Sequence, residues 1–342
     1  MAGGTRVRIA APLKQWFGWI LPAEWIALGA LVFAGLLIAC GYPALAPRLE
    51  GGEVLQQLSS TAHYGTIVLV SIGLYAMVSL TRGMVRGNFS AAAFSRDVFQ
   101  FLRLLLALMV ALYLMLCFKW WSHLGPRLYD GAYLQMDQAA GALKRWILAL
   151  DAALEIPHVF YFRIYAAAFV TSYALSIALA PSVFSRLVTA GAAVCVLGGA
   201  SYMLAPAYGP LFFSLPQGSI MEETQRIMLE VSEAFRASNG ATFDPYRFEA
   251  VLGAMPSLHV AHSVVICAYT WSMHRLLGLG YLMIVLYVSV FAVATHFHYL
   301  IDLPAGLLVA FVAVKLTDWL YGLRSEDPAP LQGRAAALAL KA

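Results

Sequence analysis

Long apolar stretches separated by short polar segments run along almost the whole chain. A helix crosses the hydrocarbon core of a bilayer with about 20 residues, because each residue adds only about 1.5 Å along the axis. On this criterion the pattern predicts eight membrane-spanning helices. They cover roughly residues 24–46, 64–81, 101–121, 160–181, 187–206, 258–274, 279–296 and 300–322.

The connections between several of the later spans are very short, so consecutive helices there must be antiparallel neighbours. We therefore predict an all-α fold, a polytopic transmembrane bundle of about eight spans with a six-helix core and two additional N-terminal helices. The predicted organisation is a basic N-terminal segment with two extra spans at 1–95, a core at 96–322 with amphipathic outer segments at 122–159 and 207–257, and a tail at 323–342.

Two polar segments carry helical patterns of their own. Residues 219–237 begin with S-I-M-E, in which Ser219 and Glu222 form a capping box, and Asn239-Gly240 would end the helix. Residues 131–156 are similarly amphipathic. We expect both helices to lie on the membrane face; a lid over a substrate cleft is a variant of this interpretation, and a partner-binding role is the alternative.

Composition supports the membrane prediction and excludes other classes. Hydrophobic residues make up 61% of the chain and charged residues only 12%, whereas soluble domains carry about 25% charged residues. The net charge of +4 comes without a basic block interleaved with aromatics, which argues against a nucleic-acid partner. The expected partners are membrane lipids, and no pattern specifies an oligomeric state.

Positive residues near the span ends predict the orientation, since Lys and Arg are enriched on the cytoplasmic side. An even number of spans with both termini in the cytoplasm fits best. The loop 207–257 then lies outside with a net charge of −3, from three arginines and six acids. The segment 122–159 is an exception, because it is predicted to lie outside but carries the basic residues Arg127, Lys144 and Arg145. We predict a plasma (inner) membrane protein whose site faces the extracytoplasmic side.

Three motifs fall on that predicted outer face: A-P-A-Y-G-P at 205–210, G-A-M-P-S-L-H at 253–259 and T-H-F-H-Y-L-I-D at 295–302. His298 and Asp302 are four residues apart, so in the first turn of the eighth helix they would share a face. The carboxylate would then fix the tautomer of the imidazole and raise its basicity. His259 returns to the same face after two spans, which supplies a second histidine for acid–base chemistry.

The pair of motifs M-P-S-L-H and H-Y-L-I-D, about 40 residues apart, resembles the type 2 phosphatidic acid phosphatase superfamily. The H-Y-L-I-D sequence and the preceding G-P turn resemble its inositol phosphorylceramide synthase-like branch. The resemblance covers about residues 160–322. It implies that the predicted core at 96–322 is the catalytic part of the chain. It implies that His298 attacks phosphorus to form a phosphohistidine, with Asp302 behind it. His259 would protonate the leaving oxygen and Ser257 would help to hold the phosphoryl group.

The chain departs from the family pattern in its basic residues. The family's basic K-x6-R-P stretch is missing from the turn at 205–210, and Ala292 stands where many members have an arginine. A phosphoryl dianion still needs cationic donors, and Arg247, close to P-S-L-H, is the first candidate. Other candidates are Lys119, Arg163, Arg226 and Arg236; His262 and His296 are possible accessory residues, although helix-end histidines usually face solvent or head groups.

The resemblance implies an enzyme acting on lipid phosphates without a metal or other cofactor. The acceptor of the transferred group remains open. With a lipid alcohol as acceptor the enzyme would be a phosphotransferase, and with water it would be a phosphatase. A transporter is less consistent with the pattern, because transport sites lie near the bilayer midplane, while the ionisable residues here lie at span ends. A scaffold that has lost its chemistry is a third alternative, which the intact His259, His298 and Asp302 oppose.

Overall fold

A computed structural model describes residues 19–42, 62–85, 87, 90–157, 159–212, 222–241 and 253–323. These residues form helices joined by short loops. The helices are α1 (Pro22–Ala39), α2 (Ala62–Val85), α3 (Ala91–Ser122), α4 (Asp130–Ala139), α5 (Gly141–Leu154), α6 (Val159–Leu179), α7 (Pro181–Leu204), a 3-10 turn (Pro210–Phe212), α8 (Glu222–Ala237), α9 (Leu258–Met273), α10 (Arg275–Ala294) and α11 (Asp302–Gly322).

Within these ranges, six helices are long and apolar enough to cross a membrane: α1, α3, α6, α7, α10 and α11. The prediction of a polytopic helical membrane protein is therefore confirmed. The other two predicted spans also coincide with helices, namely α2 and α9, although α9 has only 16 residues. The identity of the membrane and the side of each terminus stay predictions from the charges.

Very tight turns set the order of the helices in the bundle. Only Ala180 separates α6 from α7, which begins with Pro181 at a position where its missing N–H is not needed. Only His274 separates α9 from α10, and its Nδ1 accepts a hydrogen bond from the Leu276 N–H at 3.3 Å. Both pairs are antiparallel neighbours, as the short connections predicted.

Small residues allow the helices to pack closely around α7, the most deeply buried of the six spans. A Cβ on Gly198 would lie 2.1 Å from Leu258 of α9, and one on Gly199 would lie 2.7 Å from Phe118 of α3. Glycine at helix contacts lets backbones approach, which is how membrane helices gain dispersion energy without a hydrophobic driving force. The first helix is held to this core by Glu24, which accepts a hydrogen bond from Arg103 Nε at 2.7 Å.

The two polar segments both form helices at one end of the bundle. The segment predicted at 131–156 is divided into α4 and α5 at Ala140. Helix α8 ends as predicted, with Asn239 and Gly240 at positive φ, but Ser219 of the predicted capping box lies outside the described residues. Buried Phe235 of α8 packs edge-on against Trp120 of α3, with ring centroids 4.7 Å apart. Helix α8 thus covers the end of the bundle.

The contact between α9 and α11 gives a direct test of this packing. A Cβ on Gly306 would lie 2.5 Å from the Ser257 carbonyl oxygen, so Gly306→Ala should force the two helices apart. We expect a loss of about 1–3 kcal/mol in the free energy of unfolding, measured as a lower melting temperature of the purified protein in detergent. Gly280→Ala is the matched control, because no atom lies within 4 Å of the added Cβ. Equal melting temperatures for the two variants would contradict the packing.

Candidate active site

Four segments meet at the end of the bundle that α8 covers, here called the site end: 123–129, 205–212, 253–257 and 295–301. Backbone hydrogen bonds join them. Tyr129 N donates to Pro206 O at 2.8 Å, Ala254 N to Ala207 O at 3.0 Å, and Leu211 N to His296 O at 3.2 Å. The three motifs predicted to share one face are therefore brought together at one end of the bundle.

The conformation and contacts of Gly209 explain why the A-P-A-Y-G-P motif has a glycine at this position. Its φ of +114° is strained for any residue with a side chain. A Cβ at this position would also lie 2.8 Å from the Phe297 carbonyl oxygen. The turn at 205–210 can therefore approach the His298 loop only because residue 209 is glycine.

His298 is buried, with 4% of its surface exposed, and its orientation is set by two acceptors. The Nδ1 atom lies 2.8 Å from the Ala254 carbonyl oxygen and 3.2 Å from Asp302 Oδ2. A carbonyl oxygen can only accept a hydrogen bond, so Nδ1 must carry the proton. In the neutral ring the lone pair is then on Nε2, which is the atom available as a nucleophile or base.

The predicted pairing of His298 with Asp302 is correct, but the predicted geometry is wrong. Helix α11 begins at Asp302, and His298 lies in the loop before it rather than on the first helical turn. The loop turns back, so that Asp302 Oδ2 also accepts from the Tyr299 N–H at 2.8 Å. The carboxylate thus holds both the imidazole and the backbone next to it.

His259 lies in the first turn of α9, as predicted, and faces His298. The two ring centroids are 5.9 Å apart with an interplanar angle of 73°. Aromatic rings of α6 surround His259, with Tyr165 at 4.6 Å and Tyr161 at 5.2 Å. Its Nδ1 has no hydrogen-bond partner among the described residues. The second histidine is thus free to act on a group placed between the two rings.

The remaining predicted site residues take different positions. Ser257 is fully buried and caps α9, where its Oγ accepts from the Val260 N–H at 3.5 Å. The expectation that His262 faces solvent or head groups is wrong: it is buried, and its Nδ1 lies 3.0 Å from the Leu258 carbonyl oxygen, one turn earlier. His296 is half-buried at a positive φ of +61°, and its carbonyl accepts from Leu211.

Among the candidate basic residues, Lys119 and Arg236 both reach the motif loops, and Arg236 of α8 interacts with Tyr208 of the turn at 205–210. The aliphatic stem of Lys119 crosses Gly253, where a Cβ would lie 2.6 Å from Lys119 Cε. Arg226 is instead paired with Glu223 and Glu230 on the exposed face of α8. Arg163 is exposed beside Phe160. Arg247, the first candidate from the sequence, lies outside the described residues.

The sequence alone did not point to two buried aspartates that contact the loops of the site, Asp130 and Asp137 of α4. Asp130 accepts hydrogen bonds from Gly209 N at 2.8 Å and from the Tyr299 hydroxyl at 3.0 Å. Burial and the nearby Asp130 carboxylate raise the pKa of Tyr299 well above its usual value, so the hydroxyl stays protonated and donates. The seven-residue spacing of the aspartates is visible in the sequence, but their partners are distant along the chain.

The fold and the site define an integral membrane protein with two histidines and an aspartate at one end of its helix bundle. The family model of the PAP2 superfamily matches residues 137–316, more than half of the chain and all three motifs. The chain belongs to the PAP2 superfamily. Its members are phosphatases or phosphotransferases acting on phosphate esters, and this protein is an enzyme of that kind acting on membrane lipid phosphates. Searches of curated proteins and of solved structures gave no match.

The double acceptor at His298 Nδ1 predicts the effect of Asp302→Asn. In serine proteases an aspartate alone fixes the tautomer of the histidine. Replacing that aspartate with asparagine lowers the rate about 10⁴-fold, because the tautomer is lost. Here the Ala254 carbonyl still holds the Nδ1 proton, so only the charge is lost and we expect about a 10²-fold lower turnover number. The measurement is release of labelled head group per folded molecule. A loss as large as that of His298→Ala would contradict this role of Ala254.

Proposed function

We propose that this enzyme transfers a phosphoryl-containing head group from a membrane lipid to a lipid alcohol, through a covalent phosphohistidine at His298. Such an activity would be that of the inositol phosphorylceramide synthase-like members of the superfamily. The observation that carries the proposal is the arrangement of His298, whose Nδ1 is held by Ala254 and Asp302 while Nε2 is left free opposite His259.

The first step follows from this arrangement. The lone pair of His298 Nε2 attacks phosphorus, and the bond from phosphorus to the oxygen of the departing lipid alcohol breaks. Protonated His259 donates its proton to that oxygen. The carboxylate of Asp302 stabilises the positive charge that develops on the His298 ring, because the pair is buried away from water.

The second step reverses the roles. The hydroxyl of the acceptor gives its proton to neutral His259 while its oxygen attacks phosphorus. The bond from phosphorus to Nε2 breaks, which restores the free imidazole of His298. Each histidine thus returns to its starting state after one turnover. A lipid alcohol and water are chemically equivalent here, so the outcome depends on which of them reaches the site.

The surroundings of the site favour a lipid alcohol over water. Tyr161, Phe162 and Tyr165 of α6 and Phe297 form an aromatic wall around His259. Phe162 is itself 37% exposed on the side of the bundle, so the wall continues from the site to the apolar outer surface. An apolar enclosure of this kind excludes water and accommodates acyl chains.

Lys119 is the residue that we assign to the charge of the phosphoryl group. The turn at 205–210 lacks the basic residues of the family pattern, whereas Lys119 reaches the adjacent loop from the last turn of α3. An ammonium group at the loop that leads into α9 would offset the negative charge that builds up on the equatorial oxygens.

The test of transfer uses purified protein in liposomes that contain a phospholipid labelled in its head group, with and without a ceramide or diacylglycerol acceptor. We expect labelled lipid product only with the acceptor, and a phosphohistidine adduct in the wild type but not in His298→Ala. Release of free head group at the same rate without acceptor would instead identify a phosphatase. Equal background rates for wild type and His298→Ala would contradict catalysis by His298.

The role of Lys119 predicts a graded series of variants. Lys119→Met removes the charge but keeps the stem that packs on Gly253, and we expect turnover to fall by about 10²-fold, comparable to loss of an oxyanion donor. Lys119→Arg should keep much of the rate, because the charge is retained. Lys315→Met, a lysine on α11 whose Nζ lies over Phe311, is the matched control. Wild-type turnover in Lys119→Met would contradict the assignment.

A further inference from the structure

Helix α4 directs two buried carboxylates towards the loops of the site. Asp130 and Asp137 are 4% and 1% exposed, and because they are seven residues apart, they lie on the same face of the helix. Asp130 Oδ2 accepts from Tyr208 N at 3.0 Å, and its Oδ1 accepts from Gly209 N and from the Tyr299 hydroxyl. This one side chain therefore links the turn at 205–210 to the loop that carries His298.

Asp137 binds the same loop one residue further on. Its Oδ1 accepts from Leu300 N at 2.8 Å, and its Oδ2 accepts from Lys144 Nζ of α5 at the same distance. The ion pair with Lys144 offsets the cost of burying the carboxylate, which would otherwise be several kcal/mol. The ion pair also accounts for Lys144 in the segment 122–159, which the charge distribution predicts to lie on the extracytoplasmic side.

The result is a loop held from both sides. Of the two residues that follow His298, Tyr299 donates its N–H to Asp302 of α11, and Leu300 donates its N–H to Asp137 of α4. Buried amides need an acceptor, and no regular helix or strand supplies one in this loop. The carboxylates supply it, and charged acceptors make stronger hydrogen bonds than neutral ones.

We propose that Asp130 and Asp137 are positioning residues for His298, which hold its loop in the geometry that aims Nε2 at the phosphoryl group. The inference rests on the proposed function for its kinetic consequence. Neither aspartate touches the reacting atoms; each acts through the loop. A reactive atom displaced by about 1 Å can lose on the order of 10²-fold in rate, so a small shift of this loop is sufficient to matter.

The sharpest variant is Asp137→Asn, which keeps the size of the side chain. An amide has one oxygen, so either Leu300 N–H or Lys144 Nζ must face its NH₂ group, and two donors then meet at about 2.8 Å. The double variant Asp137→Asn with Lys144→Gln removes that conflict, because glutamine can accept from the new NH₂ group. We expect the double variant to recover most of the loss.

The kinetic test measures turnover of the full chain in liposomes, per folded molecule. For Asp137→Asn we expect the turnover number to fall on the order of 10²-fold with KM nearly unchanged, and for Tyr299→Phe, which removes only the bond to Asp130, a smaller fall. Asp97→Asn on the first turns of α3 is the matched control. A purely structural role would instead lower the melting temperature and leave turnover per folded molecule at the wild-type value, which would overturn the proposal.

A second measurement does not depend on activity. Hydrogen exchange of the peptide that contains residues 295–301 should become faster in Asp137→Asn and return towards wild type in the double variant. Unchanged exchange in Asp137→Asn would overturn the positioning role whatever the kinetics. If the wild type transfers or hydrolyses no lipid phosphate, the proposed function fails, and the exchange result still decides whether α4 holds the loop.

Discussion

Asp302 places a carboxylate inside the bundle, where hydrogen bonds rather than water must compensate for its charge. Its Oδ2 accepts from Tyr299 N and from His298 Nδ1, and its backbone carbonyl accepts from Ser257 N at 3.1 Å. One residue therefore connects His298, the loop around it and the start of α9. Because α11 begins at this residue, the catalytic geometry depends on where that helix starts.

The helix bundle makes this arrangement possible by bringing backbones unusually close. Gly306 lies against the Ser257 carbonyl, Gly198 against Leu258, and Gly209 against the Phe297 carbonyl. In each case a side chain would fill the space that the neighbouring segment occupies. Rigid contacts of this kind are needed because the site itself lies mainly on loops, which would otherwise sample several conformations. The loops are held by the helices behind them.

The parts of the site come from elements that are distant in sequence. The proposed nucleophile His298 lies on a loop before α11, the proposed acid–base residue His259 on the first turn of α9, and the proposed phosphate-binding Lys119 on the last turn of α3. In our interpretation, Lys119 stabilises the charge of the phosphoryl group, although it lies outside the turn where the family pattern has its basic residues. The loop that carries His298 is also hydrogen-bonded to α4, which brings two carboxylates to it from another part of the chain.

The apolar pattern by itself determined the helices, because span length and composition are local properties imposed by the bilayer. The sequence also predicted that His259, His298 and Asp302 lie together, since motif order and spacing are visible along the chain. Tertiary structure alone decided that His298 lies before the helix, that the Ala254 carbonyl holds its proton and that His262 is buried. It also decided the partners of Asp130 and Asp137, because hydrogen-bond partners separated by up to 169 residues leave no periodic signal in a single sequence.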